Sequence, residues 1–162
     1  MAAEMMRMDL AKLAPDAYRH FLQLEGVIAH HVDRKLKHLV KLRASQINGC
    51  ALCLAMHTDE ALRDGEPVER LTLLDAWEES TLYSDRERAA LAWIEEVTLI
   101  ADSGASGESF EALKPHFSEE EIAWLTLAAV QINAWNRIAI SSRAQYDRAM
   151  FATARAKTPE PA

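Results

Sequence analysis

The chain has 162 residues, of which 49% are hydrophobic and 27% are charged, a composition typical of a globular protein that buries its core without disulfide support. Its net charge of −7 argues against a nucleic-acid partner, because binding to phosphates depends on clustered lysine and arginine side chains. With only five glycines and five prolines, the chain has few of the residues that form turns between many short strands, which favours helices.

The first half of the chain predicts four helices. Pro15 followed by Asp16 is typical of a helix start, and apolar residues at three- and four-residue steps continue the pattern. Asn48-Gly49 and Asp64-Gly65 are typical of helix ends. The predicted helices are 15–30, 34–47, 50–63 and a short one at 68–74.

The second half contains two capping boxes. Ser84 and Ser118 are each followed three residues later by a glutamate, immediately ahead of an apolar run. The first box predicts a helix that continues through Ala101 to a loop at 103–107, with a shorter helix at 110–114. The second predicts a long helix from Glu119 that is apolar on more than one face, as expected for a helix at the centre of the core or between subunits.

These elements predict an all-α fold, because no segment alternates like a strand. We expect a single domain over 1–162, with its core at about 15–148 and a frayed tail at 153–162, which has lost its large apolar residues.

Two features of the sequence bear on the expected cellular location. Charges interrupt the amino terminus too early for a secretory signal, and the longest apolar run, 122–130, is about half of what a membrane-spanning helix needs. We therefore expect a cytoplasmic protein with no membrane partner. In that reducing compartment, a close cysteine pair is more typical of redox cycling or metal binding than of a permanent disulfide.

Cys50 and Cys53 are the only cysteines, and His57 follows four residues after the second. On a helix these three residues share one face, and the sulfurs are close enough to form and break a disulfide. A helix start stabilises a thiolate at Cys50, whereas His57 favours one at Cys53, so spacing alone leaves the order of the two cysteines open. The group suits peroxide reduction, in which one thiolate becomes a sulfenic acid and the other condenses with it.

A zinc site is the main alternative for the same residues. Cys50, Cys53, His57 and a histidine from another helix would complete a Cys₂His₂ shell. A third possibility is a protein that uses the reversible disulfide as a redox sensor without catalysis. The remaining histidines receive no assignment: His20, His30, His31 and His116.

Residues 39–53, LVKLRASQINGCALC, together with His57, resemble the signature of AhpD-like alkylhydroperoxidases in the carboxymuconolactone decarboxylase family. The segments RERAALAW at 86–93 and INAWNR at 132–137 resemble later helices of that family. The resemblance covers about 15–148. The decarboxylase branch is a poor match, because its chemistry does not use a cysteine pair.

The resemblance implies an all-α, AhpD-like fold that forms a trimer or hexamer. It implies a thiol-dependent peroxidase or disulfide reductase that acts on hydroperoxides, needs no cofactor, and is reset by a lipoyl-type or thioredoxin-like dithiol. It also implies roles: Cys53 carries the sulfenic acid, Cys50 is the more exposed resolving thiol, and His57 belongs to a proton relay.

Two positions depart from the family pattern. The family usually carries a glutamate twelve residues before the first cysteine, and this chain has His38 there. His38 either replaces the glutamate as acid or base, since histidine titrates near neutral pH, or leaves the relay broken. It would also be the natural fourth ligand of the zinc alternative. Leu52, between the cysteines, removes a second proton carrier that some relatives have.

Overall fold

The computed structural model describes residues 6–147, and none of these residues forms a strand. The predicted all-α class is therefore confirmed. In chain order the helices are α1 (Leu10–Leu13), α2 (Pro15–His31), α3 (Arg34–Asn48), α4 (Ala51–Arg63), α5 (Val68–Thr72), a 3₁₀ helix (Leu73–Ala76), α6 (Asp85–Thr98), α7 (Ile100–Ser103), α8 (Gly107–Leu113) and α9 (Glu119–Ser142).

Most helix ends lie where the sequence predicts them. Pro15 begins α2, and Gly49 ends α3 in the left-handed conformation, with φ at 68°. Both capping boxes form. The side chains of Ser84 and Ser118 each accept a hydrogen bond from the backbone N–H of the glutamate three residues later, and the glutamate carboxylate accepts one from the serine backbone N–H. The frayed tail expected at 153–162 lies outside the described residues.

The structure departs from the expected elements in two places. The helix predicted to continue through Ala101 ends at Thr98, because Leu99 leaves helical geometry before α7 resumes the turn. The Glu96 carboxylate accepts hydrogen bonds from the backbone and hydroxyl of Ser106, which draws the chain back at this point. The single-turn helix α1, capped by Asp9, is too short to show apolar periodicity and was not predicted.

Helix α3 lies at the centre of the fold and packs against α4, α6 and α9. Two apolar clusters lie on different sides of it. One joins α3 to α2, α6, α8 and α9, and the other joins it to α4, the 3₁₀ helix and α6. Because several faces of α3 are covered, polar side chains on this helix are buried as well, which is how His38 and Lys41 come to lie inside the protein.

The two apolar stripes expected on α9 are buried to different degrees. Ile122, Leu125, Ala129 and Ile132 are all buried in the core. The second stripe consists of Trp124, Leu127, Ala128 and Trp135. Trp135 is half-buried under aromatic side chains of α2, whereas Leu127 is 40% exposed. Among residues 6–147, no helical segment has the length and apolar character that crossing a bilayer requires.

Candidate active site

The tight turn between α3 and α4 positions the first cysteine. Cys50 adopts an extended backbone conformation and is the N-cap residue of α4, so it precedes the first helical turn rather than lying within it as expected. Its sulfur accepts a hydrogen bond from the Cys53 backbone N–H at 3.4 Å, and its own N–H donates to the Ser45 carbonyl at 3.0 Å. Cys50 is therefore tied to both helices that flank it.

A buried polar network holds this turn against α9. The Asn48 side chain donates to the side-chain oxygens of Asn133 and Asn136, at 3.0 and 2.9 Å. The Asn136 amide donates in turn to the Ser45 hydroxyl at 3.0 Å, and Asn136 is fully buried. Buried amides with satisfied partners hold an element in one place, so the position of Cys50 is fixed by two helices besides its own.

Cys50 and Cys53 are joined by a disulfide, with their Cα atoms 5.4 Å apart. The two side chains therefore converge, as the three-residue spacing predicts. Both residues are buried, and Ala139 of α9 packs against them. Cys50 is 1% exposed and Cys53 is 3% exposed, so in the disulfide form Cys50 is not the more exposed residue that the family resemblance implies. The structure thus describes the oxidised form of the pair.

An open pocket of about 410 Å³ borders the disulfide on one side. It is lined by the turn from Gly49 to Leu52 and by the carboxyl-terminal end of α9 with the residues that follow, including Arg143 and Tyr146. Cys50 lies on the pocket wall and Cys53 does not. Of the two cysteines, Cys50 is therefore the one that contributes to the surface of this pocket.

His57 lies one turn beyond Cys53 on α4 and is 3% exposed. Its Nδ1 is 2.8 Å from Glu60 Oε2. Burial lowers the pKa of His57 because it disfavours the imidazolium, and the positive charge of Lys41 acts in the same direction against the opposing hydrogen bond to Glu60. A neutral His57 that donates from Nδ1 keeps Nε2 unprotonated, and this nitrogen is then able to accept a proton from a thiol.

Glu60 is ionised beside this histidine. Burial would raise the pKa of Glu60, but the hydrogen bond from His57 and the positive charge of Lys41 help to hold it below its ordinary value. Sequence reasoning missed Glu60, although its three-residue spacing from His57 was a signal that could have found it. The carboxylate partner of His57 therefore lies on α4 itself.

His38 lies in the same interface between α3 and α4 but has a different partner. It is 3% exposed, and its Nε2 is 2.6 Å from Asp64 Oδ2. Its Nδ1 is buried and has no hydrogen-bond partner among the described residues. The structure therefore places His38 beside the site, bonded to the residue that follows α4 and not to His57.

Lys41 is a second residue that sequence reasoning missed. It is 6% exposed and forms an ion pair with Glu25 of α2. Lys41 follows His38 by three residues and precedes Ser45 by four, so these three share one face of α3. The available signal was that Lys41 is a charged residue on a face of α3 that is otherwise buried. The sequence did not indicate that its partner is Glu25 on another helix.

In the disulfide form, the described residues of the zinc alternative do not assemble into a metal site. Among residues 6–147, no three histidine, cysteine, aspartate or glutamate side chains are arranged so that they could hold a metal ion. The two cysteines are bonded to each other, and His38 is bonded to Asp64. The four side chains that would have made a Cys₂His₂ shell thus have other partners.

The sequence pattern of the carboxymuconolactone decarboxylase family matches residues 15–96. The uncharacterised protein YdfG of Bacillus subtilis is 37% identical over 136 residues, which cover 83% of this chain and 92% of that protein. Both matches include the α3–α4 hairpin.

Solved structures with the same fold include a protein of unknown function from Agrobacterium tumefaciens, described as a candidate antioxidant defence protein AhpD. It is 42% identical, with a TM-score of 0.85, over 88% of this chain and 99% of that one. A peroxidase-related protein from Ralstonia eutropha with an AhpD core is 18% identical, with a TM-score of 0.75, over 93% of this chain and 80% of that one. This second likeness is one of fold alone.

Proposed function

Because the chain belongs to the carboxymuconolactone decarboxylase family, we propose that it is a thiol-dependent peroxidase that reduces hydroperoxides through Cys50 and Cys53. The observation that carries the proposal is the arrangement on α4, where a cysteine that forms a disulfide is followed one turn later by a buried, neutral histidine held by a carboxylate. A thiolate and a nearby proton carrier are the two requirements of peroxide reduction.

The first step takes place on the reduced protein. His57 Nε2 accepts the proton of the Cys53 thiol, and the Glu60 carboxylate stabilises the imidazolium. The thiolate attacks one peroxide oxygen, so that an S–O bond forms and the O–O bond breaks. The departing alkoxide takes the proton from His57 and leaves as an alcohol, and Cys53 becomes a sulfenic acid.

The second step closes the disulfide. The Cys50 thiol gives up its proton and its sulfur attacks the sulfur of the Cys53 sulfenic acid. An S–S bond forms, the S–O bond breaks, and the departing hydroxide takes up the proton from Cys50 and leaves as water. The short separation of the two residues supports this step, because little movement is needed to bring the sulfurs together. The product of the step corresponds to the oxidised form described above.

An external dithiol resets the pair. One donor thiolate enters the pocket and attacks the sulfur of Cys50, which lies on the pocket wall, and Cys53 departs as a thiolate beside His57. The second donor thiol then attacks the mixed disulfide, so the donor leaves oxidised and Cys50 is free. In this proposal the donor is a lipoyl-type or thioredoxin-like dithiol. The protein itself is a cytoplasmic homo-oligomer, either a trimer or a hexamer.

Glu60 takes the carboxylate role that the family resemblance leads one to expect at position 38. His57 is bonded to Glu60, whereas His38 is bonded to Asp64. In this proposal the relay therefore runs from Cys53 through His57 to Glu60, and His38 supports the same interface from its other end.

The test is consumption of cumene hydroperoxide with dihydrolipoate as reductant. We expect turnover by the wild type, loss of turnover in Cys53→Ser and Cys50→Ser, and a large decrease in His57→Gln, with His30→Gln on the surface as the matched control. Equal rates for the wild type and Cys53→Ser would overturn the catalytic assignment. A redox sensor would form the disulfide once with peroxide but would not turn over.

A further inference from the structure

The ion pair between Lys41 of α3 and Glu25 of α2 is largely buried and is not part of the proposed relay. We infer that Lys41 is a positioning residue of the proposed reaction, whose buried charge favours the Cys53 thiolate and a neutral His57, and that Glu25 moderates this effect as its counter-ion. The role of Lys41 in the reaction rests on the proposed function, whereas its effect on the protonation of Cys53 and His57 in the reduced protein does not.

Geometry places Lys41 in the middle of what we call the polar seam. The seam is the line along which α3 and α4 face each other. On each side its residues are separated by four, three and four positions, a spacing that keeps them on one face of a helix. The members of the seam are Arg34, His38, Lys41 and Ser45 on α3, and Cys53, His57 and Glu60 on α4 with Asp64 directly after it.

The two helices are joined by a tight turn, so they run in opposite directions and the seam has a fixed register. At the open end, Arg34 and His38 both bond Asp64. At the turn end, Ser45 is tied to Cys50, next to the disulfide. From this register we infer that Lys41 on α3 lies opposite His57 and Glu60 of α4.

Burial makes the charge of Lys41 costly, which calls for an explanation. A lysine that is 6% exposed requires a counter-ion, and Glu25 reaches it from α2. The pair is incompletely satisfied, because Glu25 Oε2 is buried without a partner among the described residues. Buried ion pairs are often no more stabilising than apolar residues of similar volume, so stability alone is a weak reason for this one.

The two charges of the pair act on His57 in opposite directions. Lys41 lowers the pKa of His57, whereas Glu25 raises it. Lys41 also contributes to the low pKa of Glu60. The other charged or titratable groups of the seam are His38 on α3, Asp64 after α4, and Arg34 at the exposed end.

Cys53 lies one turn before His57 on the same face of α4, so we expect the positive charge of Lys41 to favour an anion at the Cys53 sulfur as well. A cation close to a thiol stabilises its thiolate, and the buried surroundings screen this effect less than water would. Removing Lys41 should therefore make the Cys53 thiolate and the neutral His57 harder to obtain. Removing Glu25 should make both easier to obtain, since the lysine is then no longer neutralised.

The experiment compares Lys41→Met with Glu25→Gln in reduced protein. The first readout is the pKa of His57, followed by NMR. The second is the pH midpoint of Cys53 alkylation by iodoacetamide, measured in a Cys50→Ser background so that only one thiol reacts. We expect Lys41→Met to raise both values by about one pH unit, and the alkylation rate at pH 7 to fall several-fold.

Glu25→Gln should move both values downward, and Lys41→Arg, which keeps the charge, should leave them close to wild type. The control is Lys35→Met, which removes an exposed lysine from the same helix. Circular dichroism checks folding, and Glu25→Gln with Lys41→Arg completes the test if Lys41→Met does not fold. Shifts of the same sign for Lys41→Met and Glu25→Gln, or shifts no larger than those of the control, would overturn the inference.

Neither readout uses peroxide, so this result is independent of the proposed activity. If the charge effects are found but no peroxide is consumed, the proposed function fails and the electrostatic role stands. If peroxide is consumed but the two readouts do not move, the proposed function stands and Lys41 is a structural residue only.

Discussion

His38 Nε2 lies 2.6 Å from Asp64 Oδ2, so the imidazole at the position of the family's glutamate is bonded to the residue that ends α4. Arg34 Nε donates to the same carboxylate oxygen at 2.6 Å. Burial would raise the pKa of Asp64, but the hydrogen bonds and charges of His38 and Arg34 hold it below its ordinary value. The three residues thus fasten the open end of the α3–α4 hairpin.

Restoring the family's residue with His38→Glu is therefore expected to destabilise the protein. The change places a second carboxylate against Asp64 in a largely buried position, and we expect it to lower the free energy of unfolding by about 1–3 kcal/mol. Peroxidase turnover should fall with it. Urea unfolding at pH 7.5 measures the first effect and cumene hydroperoxide consumption the second.

Two further variants identify the cause of that loss. Adding Asp64→Asn to His38→Glu removes the repulsion and should recover part of the stability, whereas His20→Glu, on the exposed surface of α2, should be close to neutral. A His38→Glu protein that is as stable as the wild type and more active would show that the bond to Asp64 is dispensable.

Local sequence patterns account for most of the fold, because caps and apolar periodicity act over a few residues. Pro15, the two serine capping boxes and Gly49 mark helix ends that the structure confirms. The early end of α6 at Thr98 could not be read in this way. It depends on Glu96 bonding Ser106 ten residues later, a contact that helix periodicity does not describe.

The residues of the site likewise fall into those that local spacing predicts and those that depend on helix packing. Cys50, Cys53 and His57 were found because their separations of three and four residues fix their common face on one helix. The partners of His38 and Lys41 were not, since Asp64 and Glu25 lie 26 and 16 residues away along the chain. Periodicity shows which face of a helix is buried, but the partner of a buried charge is decided by how helices pack.

Stability should fall in mild acid because of His57. Burial lowers its pKa in the folded protein below the value of about 6.5 expected in the unfolded chain. Between these two pH values the unfolded state binds more protons, so the stabilising contribution is complete above pH 6.5 and is lost as the pH falls below it. The low pKa of Glu60 and Asp64 adds a second loss in stronger acid.

Urea unfolding at pH 7.5, 6.5 and 5.5 measures this slope, which for one proton is at most about 1.4 kcal/mol per pH unit. His57→Gln should flatten the curve in that range while keeping the loss at lower pH that comes from the carboxylates. His116→Gln, which removes a histidine for which no role is proposed, serves as the control. An unchanged slope in His57→Gln would contradict the assignment of a neutral buried imidazole.

The first attack by a thiol is expected at Cys50. Cys50 contributes to the wall of the open pocket and Cys53 does not, so we expect a small thiol to attack the sulfur of Cys50 and to expel Cys53. Oxidised protein treated briefly with excess glutathione and quenched in acid with an alkylating agent should carry the glutathione on Cys50 and the alkyl group on Cys53. Peptide mass spectrometry locates both groups, and glutathione found mainly on Cys53 would refute the predicted order.

The glycine before the cysteine pair provides a matched comparison with another glycine of the chain. Gly49 has φ at 68°, and among the described residues no atom beyond its chain neighbours lies within 4 Å of the position that a Cβ would take. Gly49→Ala therefore adds backbone strain but no clash, and it should lower the free energy of unfolding by about 1 kcal/mol. Gly26 lies inside α2 with the same open space, so Gly26→Ala should raise it by about 0.5–1 kcal/mol.

The opposite signs make this comparison informative about the site. Gly49 ends α3 and lets the chain turn so that Cys50 caps α4, whereas Gly26 only adds flexibility to a helix interior. Gly49→Ala should therefore also slow closure of the Cys50–Cys53 disulfide after peroxide addition, and Gly26→Ala should not. Thermal unfolding and thiol titration measure the two effects, and equal behaviour of both variants would show that the left-handed turn does not position the cysteine.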